Sequence, residues 1–564
     1  MRLSSRGFLL HALGTAAAQN LSPSDACPLL GPALYKDFDL INSTVFKNAT
    51  AIFPSVIEAL FNSTAVNPST SSFVVDVYST YTNESLYTYT HRATAPTRNE
   101  SFPAEINDET IFRVGSVSKL YTVYAILAHA KNLDVFDLPV TNFLPELAGN
   151  DSGNLTHPTI VWEHVTLGAL ASHQAGVGGF PNVSVACDPA SSDEASRCSI
   201  PLFIEQMKEG KRPTQPVFAS AQYSDGGFGV LGRVLERMTN LTYHEAVQEL
   251  LAKPLGLQGT GTLVPKDEGV NAIALNVGMP NSSWGWDNQV IAPSGGIYSS
   301  AADFRATGLS ILHSQLLSPE VTGAWMKPHA HTSSLLSSVG APWEINRLTL
   351  PITLGSKKTR VSDLYTKAGG QPGYTALFML SPDHGLGISV LIAGESALGD
   401  RWPLRAAAAE VFVAAAEHAE KVYAEENFTG LFVDPTDDSS NATLVSRADE
   451  PGLTVDMLFG AGVDLKPSPL GLSPGVDVLF QIYPTGIEFP SDGMSKSLQY
   501  RGVVWPLPVA KRTGLFDDQC ISWLSVAGVE DAQRQYNDEL ILTVKDGRLQ
   551  SIYIPILAKS LIRV

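Results

Sequence analysis

Ser116 and Lys119 stand three positions apart in the run Phe112-Arg113-Val114-Gly115-Ser116-Val117-Ser118-Lys119-Leu120. If the chain after Gly115 is helical, that spacing sets the hydroxyl and the amine on one face, one turn apart. A serine hydroxyl is a weak nucleophile until a base takes its proton, and a lysine does so only where burial or neighbouring charge lowers its pKa. Leu120 to Leu127 are apolar nearly all round, which predicts a helix running through a core and supplies that burial. Ser-x-x-Lys recurs by chance, so its weight depends on the rest of the chain. Two further stretches bear on it. Tyr223-Ser224-Asp225 is followed by Gly226, Gly227 and then Phe228, Leu231, Val234, Leu235 and Met238 at helical spacing, which sets the tyrosine on a loop before a packed helix. By itself it would be an ordinary loop tyrosine. Lys367-Ala368-Gly369-Gly370 precedes Tyr374 to Leu380, a turn at Pro382-Asp383-His384-Gly385, and Leu386 to Ile392. This reads as a strand hairpin whose glycines let a ligand lie against backbone amides. His384, at the turn, is expected to be solvated. His173 has no cysteine or acidic partner at ligand spacing, so it reads as a buried, hydrogen-bonded histidine and not a metal ligand.

The elements that must position these residues follow from pattern and length. At 564 residues the chain exceeds one ordinary core, and two or more domains are expected. Its 44% hydrophobic and 17% charged content is that of a globular protein. A formal net charge of -18 argues against a nucleic-acid partner, because the phosphate backbone would be repelled. Residues 19 to 36 read as an extended arm and 42 to 61 as an amphipathic helix. Residues 73–78 and 86–89 alternate like paired strands, and 140–147 with 165–176 suggest a largely helical insertion. An Ala-rich segment, 403–421, predicts a closing helix. Beyond about residue 425 the pattern becomes short alternating strands separated by Pro and Gly, with no cluster that reads as catalytic. The expected layout is a site-bearing domain over 19–424 and a β-rich domain over 425–564.

The first eighteen residues, with Arg2, Arg6, a short apolar stretch and Ala16-Ala17-Ala18, have the order of a secretory signal. Glycosylation sequons begin at Asn20, Asn42, Asn48, Asn62, Asn83, Asn99, Asn150, Asn154, Asn182, Asn240, Asn281, Asn427 and Asn441. The four cysteines allow three pairings. Cys187 with Cys198 would close a small loop, and Cys27 with Cys520 would then tie the N-terminal arm to the C-terminal region. No later run is long and apolar enough to span a membrane. A secreted, soluble glycoprotein with no metal or other cofactor is expected, monomeric by default.

Taken in order, Ser116-x-x-Lys119, Tyr223-Ser224-Asp225 and Lys367-Ala368-Gly369 resemble the serine β-lactamase and penicillin-binding-protein superfamily, specifically its class C and esterase-like branch. Thr166-Leu167 through Ser172-His173-Gln174-Ala175-Gly176 is similar to that branch's Leu-Leu-Ser-His-Thr-Ser-Gly run. Ser294-Gly295-Gly296-Ile297-Tyr298-Ser299-Ser300-Ala301-Ala302-Asp303 is similar to its Gly-Gly-Leu-x-Ser-Thr-Ala-x-Asp run. The likeness covers roughly residues 70 to 420, and the β-rich tail resembles secreted β-lactamase-related proteins of filamentous fungi. It implies an α/β (α+β) fold, with a central antiparallel sheet flanked by helices and a helical subdomain.

The resemblance also implies roles. Ser116 would attack a carbonyl and form an acyl-enzyme, Lys119 and Tyr223 would share the proton, and the N–H groups of Ser116 and Gly370 would form the oxyanion hole. Lys367 would hold the electrostatics and attract an acidic substrate group, with Asp225 and Gly369 lining the substrate. Two residues depart from the pattern. Asp225 stands where the family usually has Asn, so a donor becomes an acceptor that would stabilise the Lys119 ammonium. Ala368 stands where a threonine hydroxyl would bind a carboxylate. Both erode β-lactam or peptide chemistry more than ester chemistry, since esters have better leaving groups. The expected function is a serine hydrolase of a small-molecule ester or amide, including acyl transfer to an alcohol or amine. The alternatives are a non-catalytic binding protein that keeps the pocket, and a peptidase or β-lactamase acting on amides.

Overall fold

A computed structural model describes residues 27–35, 38–95, 103, 105–149, 158–181, 200–265, 269–275, 282–490, 493, 495–507, 520–526, 530–531 and 533–564. The signal segment 1–18, Cys187, Cys198, and the sequons at Asn20, Asn99, Asn150, Asn154, Asn182 and Asn281 lie outside the described residues. Helix α1 (Thr44–Asn62) is followed by β1 (Ser71–Ser79) and β2 (Glu84–His91). Then come α2 (Ser118–Ala130), α3 (Asp225–Thr239) and α4 (Ala301–Leu312). The remaining strands of the sheet are β3 (Ala330–His331), β4 (Ser337–Val339), β5 (Glu344–Pro351), β6 (Thr359–Gln371), β7 (Tyr374–Ser381) and β8 (Leu386–Gly394). Helix α5 (Ala397–Asn427) closes the domain. The strands form one antiparallel sheet in the order β2-β1-β8-β7-β6-β5-β4-β3.

Strands β1, β7 and β8 are buried at every residue because helices cover both faces. Alternate residues of one strand feed different cores, as a two-residue side-chain period requires. Phe73, Val75 and Val77 join Phe53 of α1 and Phe412 of α5, whereas Val74 and Tyr78 join the core around α2 and α3. The expected helical insertion is sparser than its pattern suggests. Among its described residues only Leu167–Ala171 is α-helical, capped by Thr166 accepting from the Ala169 N–H, while Val140–Asn142 and Pro145–Leu147 are 3₁₀ turns. Prolines at 139 and 145 begin those turns and leave no room for a longer helix.

The C-terminal strands are β9 (Gly430–Asp434), β10 (Asp437–Val445), β11 (Leu453–Gly460), β12 (Val478–Phe489), β13 (Ser495–Pro506), β14 (Glu539–Lys545), β15 (Arg548–Ile554) and β16 (Lys559–Arg563). Among the described residues these eight pair in the order β10-β9-β16-β15-β14-β13-β12-β11, and β11 pairs back onto β10. The eight strands therefore close into a barrel, and a two-residue strand, Val463–Asp464, adds to the end of β11. Its alternate residues, such as Leu540 and Leu542, point inward. Ala424 and Phe428, at the end of α5 and just beyond it, and Leu34 of the N-terminal arm complete its core. A Cys27–Cys520 disulfide ties the arm to this domain, as one of the open pairings anticipates.

His384 is not solvated; it is 4% exposed. Its Nδ1 meets Ser381 Oγ at 2.7 Å and its Nε2 meets Glu417 Oε2 at 2.8 Å. The turn is overlaid by α5, which the local pattern of a hairpin tip does not reveal. Arg360 grips both oxygens of Glu417, at 2.8 and 2.6 Å, so Ser381, His384 and Glu417 form a buried tie between sheet and helix. Burial alone would raise the Glu417 carboxyl, but Arg360 and His384 hold it down at about 2. Removing one partner of a buried pair leaves the other charged and desolvated. Glu417→Ala is thus expected to cost about 3–5 kcal/mol, read as a lower midpoint in urea unfolding. Unfolding at the parental midpoint would show that the tie carries no stability.

Candidate active site

The nucleophile's position is set by a close approach of two backbones. Phe112–Arg113 pairs with Tyr298–Ser299 and delivers the chain into a 3₁₀ turn, Gly115–Val117, on which Ser116 sits just before α2. Gly115 has φ +53°, and a Cβ there would lie 2.5 Å from the Gly370 nitrogen. A Cβ at Gly369 would lie 2.0 Å from the Val114 carbonyl oxygen and 2.7 Å from the Ser116 nitrogen. Both glycines are required for the edge of β6 to lie flush against the serine turn. Pairing of β5 with β6 ends at Thr366, so the edge from Lys367 onward is open to this cleft. The backbone of the serine turn and the backbone at Gly369 and Gly370 are thus in direct contact.

Lys119 lies in the first turn of α2 and is fully buried. Its Nζ donates to Ser116 Oγ at 3.0 Å, to Asp225 Oδ1 at 2.6 Å and to the carbonyl and hydroxyl oxygens of Ser294 at 2.8 and 3.0 Å. Ser294 Oγ donates in turn to Asp225 at 2.6 Å. Burial would raise the Asp225 carboxyl, but the Lys119 ammonium and the Ser294 hydroxyl outweigh it and hold the group below the usual carboxylate range. The anticipated pairing of Asp225 with Lys119 is present as a direct ion pair.

Tyr223 precedes α3, whose N-cap, Ser224, accepts from the Gly227 N–H at 2.9 Å and donates to the Gly178 carbonyl at 2.6 Å. About half of Tyr223 is open to solvent, while its ring lies 4.8 Å from Lys119 Nζ and 5.3 Å from Lys367 Nζ. Burial of the hydroxyl pushes the phenol up, but Lys367 and Lys119 more than offset it, leaving the phenol below its ordinary value. The face of Tyr223 rests on His173, with ring centroids 4.6 Å apart and planes at 23°. His173 is buried and hydrogen-bonded, in keeping with its sequence pattern; its Nδ1 accepts the Ser224 N–H at 3.0 Å, which leaves the proton on Nε2. Burial, then the two lysine charges, hold it well below the usual histidine range, so it is a neutral shelf for the tyrosine.

Lys367 is fully buried, and its Nζ meets Glu344 Oε1 at 2.6 Å and the Ala368 carbonyl at 2.8 Å. The other Glu344 oxygen accepts the Ala368 N–H at 2.9 Å. Burial would lower Lys367, but Glu344 outweighs it and raises the ammonium's pKa. The expectation that Lys367 attracts an acidic substrate group meets a carboxylate already in that place. Glu344 and the shelf role of His173 are the residues that local motifs miss. Glu344 is 23 positions from Lys367, and only the strand register, Glu344 opposite Thr366, brings the two together.

The two remaining motif stretches each place one residue in the cleft, His173 and Ser294, and their other residues are scaffold around it. Asp303 accepts from Gln258 N, Gly259 N and Thr260 Oγ1 at 3.0, 2.8 and 2.7 Å, and Ser172 Oγ donates to the Gly168 carbonyl. Away from the cleft, His384, Glu417 and Glu420 offer ligand atoms within 4.8 Å of one another, but the Arg360 guanidinium already fills that space as the counter-charge.

The family model described as "Beta-lactamase" matches residues 83–411, and one described as "Beta-lactamase-like-like, C-terminal domain" matches residues 420–564. A "Beta-lactamase-like protein" of Arthroderma benhamiae is 28% identical over 331 residues, 55% of this chain; the match spans only about half (52%) of that relative's length. A "Probable hydrolase M10" of a Phoma species is 25% identical over 496 residues, covering 81% of this chain and 79% of its own. Among solved structures, a class C beta lactamase from Rhodobacter sphaeroides aligns with a TM-score of 0.47 and 19% identity, over 64% of this chain and 98% of that one.

The two lysines dictate how Tyr223 titrates. In an ultraviolet difference titration of the parent against Tyr223→Phe, the missing phenol is expected to ionise below the ordinary tyrosine range. Lys367→Met removes one of the two attractive charges and is expected to move that transition to higher pH. An unmoved transition would mean that Lys367 does not tune the phenol.

Proposed function

The chain belongs to the beta-lactamase family, and we propose that it is a hydrolase, like the probable hydrolase of the Phoma species, that cleaves an ester through an acyl-enzyme on Ser116. The observation that carries the proposal is the contact of Ser116 Oγ with Lys119 Nζ at 3.0 Å, beside a phenol drawn down by two ammonium groups. Tyr223 takes the Ser116 proton as the oxygen attacks the substrate carbonyl. The Ser116 and Gly370 N–H groups receive the developing oxyanion. Tyr223 returns the proton to the departing alkoxide, takes another from the water, alcohol or amine that attacks the acyl carbonyl, and passes it to Ser116 Oγ as the acyl–Oγ bond breaks. Lys119, ion-paired with Asp225, acts as a fixed positive charge beside both steps.

Two features support an ester over a β-lactam or peptide. Asp225 can accept but not donate, so it offers nothing to a substrate amide carbonyl. Glu344 answers the charge of Lys367, so an anionic group on the substrate finds no free cation there and meets a carboxylate. The Lys119–Asp225 pair would also be at home in a descendant that binds without turnover, and the same experiment decides between the two. Secretion is part of the proposal. The Cys27–Cys520 disulfide and the exposure of Asn42, Asn48, Asn62, Asn83 and Asn240 support it.

Intact-mass measurement after incubation with activated esters is expected to show one acyl adduct on the parent and none on Ser116→Ala, with esterase turnover lower by at least about 10³-fold in the variant. A folded parent that takes no adduct from a broad panel would establish the binding protein instead. Asp225→Asn restores an amide donor, and it is expected to favour acylation by a β-lactam over an ester by about tenfold or more relative to the parent. An unchanged ratio would remove Asp225 as the selector.

A further inference from the structure

The Gly369 carbonyl is held by more than its strand. Arg401, in the second turn of α5, donates from Nη1 to this oxygen at 2.9 Å, and the hydroxyl of Thr375, opposite Gly370 in register, donates to it as well. The same Nη1 lies 3.2 Å from Thr375 Oγ1. A trans peptide is planar, with its C=O and N–H pointing in opposite directions. A grip on the Gly369 oxygen is therefore a grip on the direction of the Gly370 N–H. The two sides are distinct in space: a Cβ at Gly370 would lie 3.1 Å from Arg401 Nη1, whereas the Gly370 nitrogen faces Gly115 and the serine turn.

We propose that Arg401, aided by Thr375, is a positioning residue for the oxyanion hole: its guanidinium fixes the Gly369–Gly370 peptide plane and strengthens the Gly370 N–H as a donor. This rests on the acyl-enzyme reading above. A charge-assisted bond to an amide oxygen is shorter and stronger than a neutral one, and hydrogen bonds in series polarise each other. The strand has no need of a cation, because Gly369 already pairs with Ala376 in the sheet. Keeping Arg401 here carries a cost, since its Nε is buried without a hydrogen-bond partner. The guanidinium is held in its plane by Trp402, whose ring lies 4.1 Å from it. Arg405 stacks on the same ring at 4.6 Å.

Three variants, Arg401→Met, Arg401→Lys and Thr375→Val, would be assayed with p-nitrophenyl butyrate, with thermal unfolding to confirm folding. Losing a full oxyanion donor costs about 10²–10³ in kcat, and weakening one should cost less. Arg401→Met is expected to lower kcat by about tenfold or more, with KM within about twofold, while Arg401→Lys recovers most of the loss. A second readout does not depend on turnover. Glycine labelled with ¹³C at the carbonyl and ¹⁵N selects the four Gly-Gly peptides, 178–179, 226–227, 295–296 and 369–370. In Arg401→Met the Gly370 amide proton is expected to move upfield while the other three stay. Thr375→Val should move it in the same direction even if the methionine variant does not fold. An unmoved Gly370 proton overturns the proposal, as does an equal change in kcat and KM that lysine does not rescue. If the parent hydrolyses no ester, the ester reading fails and the amide shift alone decides whether Arg401 sets this peptide.

Discussion

Two buried ammonium groups beside one phenol set the terms for the rest of the structure. Lys119 and Lys367 are fully buried and flank Tyr223, and like charges in a desolvated site repel unless each has its own counter-charge. Each has one: Asp225 from the start of α3, Glu344 from β5. Both carboxylates keep part of their surface in solvent, at 41% and 37% exposure, so neither is itself trapped at full desolvation cost. Each cation is matched by a carboxylate, yet the two ammonium charges still outweigh burial at the phenol. A helix, a strand and a loop must converge to a few ångströms for this, and the glycines at 115 and 369 permit it.

The same balance decides what the cleft receives. A cation that is already paired holds an enzyme's own groups in place more than it recruits a substrate's. Lys367 therefore serves the tyrosine and the Ala368 peptide, to which it and Glu344 are both bonded. Asp225 similarly serves Lys119 and Ser294. The cleft has converted two places that could meet a ligand into internal supports. What remains for a substrate is the backbone edge at Gly370, the hydroxyl of Ser116 and the open face of Tyr223.

How much of this is legible in the sequence depends on the range of each interaction. Ser116 with Lys119 is legible because one helical turn joins them, and the apolar run after them announces a buried helix. The strands around Lys367 and the alternating tail are legible from their two-residue period. Glu344 is not, since its partner is chosen by strand register across a sheet, and His173 meets Tyr223 only through a fold of two loops. His384 misleads for a related reason: a turn between strands reads as surface until a helix from elsewhere lies over it. Closure of the tail into a barrel is likewise hidden, because alternation tells which residues face in but not that β11 returns to β10. Arg401 lies just before the stretch whose alanines announce α5, and nothing local ties it to a glycine 32 positions earlier.

Helix α5 begins against the Gly370 edge and ends in the barrel core, 31 residues in one rod. Such a rod is about 46 Å long, so a tilt of about one degree at its barrel end swings the other end by about 0.8 Å. Productive geometry at a reacting centre is held to about 0.5 Å. The barrel is therefore an anchor at the far end of a lever whose throw is measured at the Gly370 edge. Phe428, seated among the barrel's inward side chains, and Arg360, clamped on Glu417 midway, are the two bearings that keep that lever still.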